Sequence, residues 1–129
     1  MVRAINPSGP SVPGISQAML VTGDNLLFLS GHIALGNTGI VGADLATQLD
    51  QVFQNLQTTL REAGAGFEHV VRIMVYVCDY MPSMLPTIRT VRDRYVNPQR
   101  PLASALIDVA ALALPEIVVE IDAIAAIPG

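Results

Sequence analysis

The sequence predicts an α+β domain in which one mixed sheet carries two helices on a single face. Strand-like segments open and close the chain, and two amphipathic stretches, Asp44 to Ala63 and Ser83 to Tyr95, lie between them. Val70–Cys78 and Ile117–Ala126 are nearly continuous in apolar residues, the pattern of strands covered on both sides. A helix joining two strands brings the chain back to the same sheet face by a right-handed crossover, so both helices fall on one side. At 129 residues the chain has the size of a single domain, 1–129.

Residues 7–14 are rich in Pro, Gly and Ser and read as a loop. Gln17–Val21 and Leu26–Ile33 read as strands, and the turn residues Thr22-Gly23-Asp24-Asn25 between them predict a hairpin. Gly36-Asn37-Thr38-Gly39 is a second turn. In the first helix Leu45, Leu49, Val52, Phe53, Leu56 and Leu60 recur every three or four residues and form one apolar stripe. Gln48, Gln51, Gln54 and Gln57 lie mostly off it. Asp44 is placed to cap the start and Gly64 to follow the end. The second helix is predicted over Ser83–Tyr95, capped by Ser83, with Pro86 in its first turn and Leu85, Ile88, either Val91 or Arg92, and Tyr95 facing inward. Asn97-Pro98-Gln99-Arg100-Pro101 ends it, and Ser104–Ala110 and Ile117–Ala126 are the closing strands.

Two helices cannot cover both faces of such a sheet. A bare apolar face of several hundred Å² is unusual on a monomer. Covering even ~600 Å² at ~25 cal/mol per Å² contributes of order 15 kcal/mol before association costs. The second face is therefore expected to pack against copies of the same chain.

Composition excludes several function classes. The chain is 51% hydrophobic and 14% charged, with net charge −4, no lysine and seven scattered arginines. Nucleic-acid binding needs a basic stripe, so none is expected; without lysine, Schiff-base catalysis is excluded. A single cysteine, Cys78, allows no internal disulfide. The N-terminus lacks the apolar stretch of a signal peptide, and no run approaches the ~18–20 apolar residues of a membrane span. A cytoplasmic protein with no membrane partner is expected.

Glu120 and Asp122 break the closing apolar strand. Two apart, they share one strand face, while Ile117, Val119, Ile121, Ala123 and Ala125 form the other. Burying a carboxylate among β-branched residues is costly unless it is paired. Glu120 reads either as a residue positioning water for attack on a polarised carbon or as an ion-pair partner of Arg72; Asp122 reads as an interface or rim charge.

Several segments together resemble the Rid family, also called YjgF or L-PSP-type proteins. Leu26-Leu27-Phe28-Leu29-Ser30-Gly31-His32-Ile33 is similar to its VFVSGQI strand, and Gln48 through Gly64 to its Q…NL…L…AG helix. Val71-Arg72 through Asp79 is similar to its next strand. Arg100-Pro101-Leu102-Ala103-Ser104 and Val119 through Ala125 are similar to its RPA(R)S and VEIEAIA segments. The resemblance implies a chorismate-mutase-like fold with a single mixed six-stranded sheet, and a homotrimer with ligand clefts between subunits. It also implies a small carbonyl, imine or enamine metabolite as ligand, with no metal and no organic cofactor. Deaminase members hydrolyse 2-imino or enamine acids to 2-keto acids and ammonia.

By that resemblance Glu120 is the catalytic candidate, and Ser30, Gly31, Arg89, Ala103 and Ser104 are substrate-binding candidates. Ala103 stands where deaminase members carry the arginine that grips the substrate carboxylate, Ile15 replaces a tyrosine, His32 replaces a glutamine, and Arg89 aligns with an asparagine. A bidentate arginine–carboxylate contact is strong and directional, and its loss costs of order 2–5 kcal/mol of binding. Arg89 or Arg100 approaching from another direction is one reading; the other is that Arg89, Arg92 and Arg94, with Asp93 among them, form a solvated helix face. The non-enzymatic alternative is a sensor or partner-binding trimer. His32 reads as a proton carrier or as a hydrogen-bonded structural residue, Cys78 as packed, and His69 as exposed.

Overall fold

The structure, a computed structural model, describes residues 1–129. Its strands are β1 (Val2–Ile5), β2 (Ala18–Val21), β3 (Asn25–His32), β4 (Leu35–Gly36), β5 (Gly39–Ile40), β6 (Val70–Cys78), β7 (Ala103–Val109) and β8 (Val119–Ile127). The helices are α1 (Leu45–Glu62) and α2 (Leu85–Arg92).

The central sheet has the order β3-β8-β6-β7, with β8 antiparallel to both neighbours and β6 parallel to β7. It is mixed, as the sequence predicts, but four-stranded rather than six-stranded. The remaining strands form two separate ladders, β1-β2 and β4-β5. The predicted hairpin of β2 with β3 does not form. The N-terminal residues take β2 instead, pairing Val2 with Val21 through Ile5 with Ala18. The Met1 amino group seals that ladder, donating to the Thr22 carbonyl and lying 2.7 Å from Asp24. β3 pairs only with β8, which places Leu27 and Leu29 opposite Ala125 and Ala123 on the helix side.

α1 is as predicted. Asp44 accepts a hydrogen bond from the Thr47 N–H at 3.1 Å, and Gly64 follows the end with φ +75°. Leu49, Val52, Phe53, Leu56 and Leu60 are buried against β3, β8 and α2. Gln48 departs from expectation, being fully buried. Its Nε2 donates to the carbonyls of Gly42 and Glu116, at 3.0 and 2.7 Å, and its Oε1 accepts from Val118 N–H at 3.0 Å. Three backbone groups of two loops are satisfied by one amide, which offsets the cost of burying it. α2 is shorter than predicted. Pro82–Met84 form a 3₁₀ turn, α2 begins at Leu85, and Ser83 provides no cap. Prolines at 82 and 86 leave too few donors for an α-helical ladder across the first turn. Ile88 and Val91 are its buried residues.

Tyr95 anchors the segment after α2. Its ring stacks on Phe53 with centroids 5.2 Å apart, and its hydroxyl donates to Asp50 Oδ1 at 2.7 Å. Asp50 also accepts from Gln54 at 2.8 Å and Arg94 at 3.3 Å. The Tyr95 hydroxyl is the largest cause holding the Asp50 carboxyl below its ordinary value, followed by Gln54 and Arg94. A depressed carboxylate contributes stability that is present above the unfolded value of ~3.9 and is lost as pH falls through the folded one. Asp50→Asn is therefore expected to lower the urea midpoint at pH 7 and to flatten its decline below about pH 4. Equal acid sensitivity in both proteins would remove Asp50 from that account.

The helix-facing side of the sheet carries Leu29, Ile73, Val75, Val77, Val119, Ile121, Ala123 and Ala125, all buried. The opposite face has no helix. There Phe28 is 70% exposed, Leu26 52% and Ile107 37%, around half-buried Met74, Tyr76, Ile124, Glu120 and Asp122. The bare second face expected from the sequence is present.

Candidate functional site

Strand register arranges the open face in rows. Ile107, Tyr76 and Glu120 form one; Ala105, Met74 and Asp122 the next; Ala103, Arg72, Ile124 and Phe28 the third. Beside Asp122 the β3-β8 ladder slips: Leu29 pairs with Ala123 but His32 with Ile121, three steps on β3 against two on β8. The extra residue is a β-bulge at Ser30-Gly31, both exposed.

The bulge has two chemical consequences. It brings the backbone of Gly31 against the Glu120 carboxylate: a Cβ added at Gly31 would lie 2.3 Å from Glu120 Oε2 and 2.8 Å from its Cδ. Any side chain at position 31 would displace the carboxylate from this contact. The bulge also resets the pleat, so that His32 turns to the helix side with Ile121. Its Nδ1 lies 2.6 Å from the Ser30 carbonyl and its Nε2 2.7 Å from Thr59 Oγ1 on α1. A carbonyl can only accept, so Nδ1 carries the hydrogen and Nε2 accepts from the threonine hydroxyl. These two contacts fit the reading of His32 as a hydrogen-bonded structural residue.

Glu120 has no ion pair within the chain. The salt bridges join Met1 to Asp24, His69 to Glu68, Arg92 to Asp93 and Arg94 to Asp50. Arg72 sits in register with Ile124, four residues from Glu120 along the strand and roughly 13 Å away at 3.3 Å per residue. Asp122 accepts the Tyr76 hydroxyl at 2.9 Å. That hydrogen bond, then burial and the negative charge of Asp122, push the Tyr76 phenol above its ordinary value, so it remains a donor. Tyr76 was not singled out by the sequence, although its position on the same strand phase as Arg72 and Met74 marks the open face. The bulge had a signal too, a glycine inside a strand.

The other candidates lie elsewhere. Ala103 is in register with Arg72, two strands and four residues from Glu120, roughly 16 Å by strand geometry. Ser104 is in register with Ile73 and faces the helices, where it lines a cavity with Arg89. One chain therefore unites Ser30, Gly31 and Glu120, unites Arg89 with Ser104 on the opposite face, and leaves Ala103 apart from both. Arg100 joins neither group; it lines a hollow beside β1 and Tyr95. His69 accepts the Gly66 N–H at 3.0 Å, closing a turn, and Cys78 lies 3.7 Å from the Ile117 carbonyl. No helix is long and apolar enough to cross a membrane.

Residues 8–127 match the family described as Endoribonuclease L-PSP. A RutC family protein of Synechocystis sp. is 32% identical over 129 residues, covering 98% of this chain and 92% of that protein. Protein DfrA of Myxococcus xanthus is 36% identical over 112 residues, covering 85% and 82%. Among solved structures, the Rid-family protein YyfB of Yersinia pestis superposes with a TM-score of 0.87 at 38% identity, covering 98% of each chain. RidA of a Psychrobacter species gives 0.72 at 28% identity, covering 92% of each. With the α+β fold, the order of its motifs and these relatives in agreement, the chain belongs to the Rid (YjgF, L-PSP) family.

Proposed function

We propose that three copies of this chain assemble through the open sheet face and that the clefts between them bind a small carbonyl, imine or enamine metabolite. The observation that carries this reading is the Glu120 carboxylate held against the bulged Gly31 backbone, beside an apolar face with no cover of its own. A second copy supplies what one chain lacks, since Ala103 lies far from Glu120.

In this reading Glu120 takes a proton from water as its oxygen adds to the imine carbon, and the C=N electron pair moves to nitrogen, which is protonated. In the carbinolamine the hydroxyl proton passes, by way of Glu120, to the nitrogen as the C–N bond breaks, so that the C=O bond forms and ammonia leaves. The Gly31 N–H donates to the oxygen on which charge develops. With alanine at 103, the substrate is not gripped by its carboxylate from that position. That same alanine favours a second reading, a non-catalytic sensor or docking trimer. The ribonuclease activity in the family's description is not proposed for an acidic chain without lysine.

The test is to generate 2-iminopropionate with an amino-acid oxidase and follow 2-keto acid release. Acceleration by the wild type that falls about 100-fold or more in Glu120→Gln is expected for the enzyme. No acceleration favours the sensor. A particle of one-chain mass in sedimentation at micromolar concentration would end the assembly on which both readings depend.

A further inference from the structure

At the end of the sheet where β6 begins, a hollow of about 230 Å³ lies between the β1-β2 ladder and the segment that follows α2. Its floor is Phe67, Val71, Tyr95 and Val96, all buried or half-buried. Val2 and Met19 close it from the ladder, while Arg3 and Leu20, on the other phase, face solvent. Phe53, stacked on Tyr95 at 5.2 Å, separates it from the cavity that Arg89 and Ser104 line. Val71 is five residues from Tyr76, the register partner of Glu120, or roughly 16 Å along β6. Engineered apolar cavities of ~150 Å³ accept benzene, so one aromatic or branched aliphatic side chain fits this hollow.

Two opposite charges line the same space. Glu68 sits in the turn that leads into β6, and Arg100 in the segment between α2 and β7; both are exposed. They do not bridge to each other, and Arg100 pairs with no carboxylate of the chain. The basic group nearest Glu68 is His69, whose Nδ1 lies 3.7 Å from Oε1. That nitrogen accepts the Gly66 N–H at 3.0 Å, so in the neutral ring it has no hydrogen to give. A second hollow, of about 340 Å³, shares Val2, Glu68 and Arg100 with the first, which puts both charges at the border between the two. An apolar recess with a cation and an anion at its mouth is complementary to a molecule that carries both charges at one end and an apolar group at the other.

We infer that this hollow is a second binding site, for a free α-amino acid with an apolar side chain, its carboxylate on Arg100, its ammonium on Glu68 and its side chain over Phe67 and Val96. A simple anion meets the like charge of Glu68 and a simple amine that of Arg100, so neither half of the ligand satisfies the site alone. Solvent screens both groups, so each contact is modest and selectivity comes from making the two together. The site goes beyond the function proposed above and does not rest on it. Val71 is on the helix-facing phase of β6, so assembly through the open sheet face leaves the hollow accessible.

L-Phenylalanine is the probe, with 3-phenylpropionate (no ammonium) and 2-phenylethylamine (no carboxylate) as comparisons, titrated into the isotope-labelled full chain and followed by amide NMR shifts. L-Phenylalanine is expected to give saturable shifts centred on Phe67, Val71 and Val96, with millimolar affinity about threefold to fivefold tighter than either comparison. Arg100→Gln is expected to erase its advantage over 2-phenylethylamine, and Glu68→Gln its advantage over 3-phenylpropionate. Both side chains are exposed, so the fold is kept. Glu120→Gln is expected to leave the affinity unchanged. No saturable shift at ~20 mM, equal affinities for the three compounds, or advantages that survive the two substitutions would overturn the inference. Shifts centred on Ile88 and Arg89, or on Gly31 and Glu120, would overturn it too, by moving the ligand to another site. Turnover of 2-iminopropionate enters none of these outcomes, so failure of one reading leaves the other standing.

Discussion

Gln48→Leu is expected to destabilise the fold by about 2–3 kcal/mol, because it removes three hydrogen bonds from a fully buried amide to partly sheltered backbone groups, at ~1 kcal/mol each. Leucine preserves the bulk and adds apolar surface, so a hydrophobic account alone would predict stabilisation. The amide, however, is the only listener to Gly42 and Glu116 carbonyls and the Val118 N–H in its surroundings, tying the loop before α1 to the entry of β8. Losing them removes a large fraction of a typical domain's ~5–15 kcal/mol. Gln57, two and a half turns along the same helix and without a side-chain hydrogen bond, is the internal comparison: Gln57→Leu is expected to change stability by no more than about 0.5 kcal/mol. Urea midpoints of the two variants check the contrast, and equal midpoints would show that the buried amide is dispensable.

The second large effect is on chemistry rather than stability. Gly31→Ala places a methyl 2.3 Å from Glu120 Oε2. The clash is with the far end of a flexible side chain, so the carboxylate swings away and the backbone stays. The expected cost to stability is below about 1 kcal/mol. If Glu120 works where it is held, displacing it by about 1 Å lowers kcat/KM for 2-iminopropionate on the order of 100-fold. Unchanged turnover with a normal urea midpoint would remove the Gly31–Glu120 contact from the mechanism.

The two variants also mark where the sequence was legible. Helix α1 was readable because its signals are local: an apolar stripe at helical spacing, Asp44 at the start and Gly64 beyond the end. β6 and β8 were readable from their apolar runs, and the uncovered face from the number of helices available. Gln48 was misread because helical periodicity says which side of a helix a residue is on, not whether two loops bring it carbonyls. The hairpin of β2 with β3 was misread for a similar reason. Its turn residues are compatible with a reversal, but the first five residues supply a competing partner for β2.

The candidate site divides along the same line. Ser30, Gly31 and Glu120 meet because a single extra residue in β3 shifts its register against β8, and the same shift sends His32 to α1. Gly31 hinted at the bulge, but the alternation of side chains could not tell which neighbour changed face. Arg89 and Ser104, grouped with the other candidates by sequence position, lie on the opposite side of the sheet.

The sequence by itself determined the class of fold, the family, the main helix and the presence of carboxylates on one phase of an apolar strand. These depend on periodicity and on residue order, both of which are properties of the chain. The tertiary structure decided which strands pair, which side of the sheet each candidate occupies, and that Arg89 and Ser104 line one cavity on the helix side. Those depend on register, where one inserted residue exchanges the two faces, and on contacts between segments as far apart as Gly42 and Glu116.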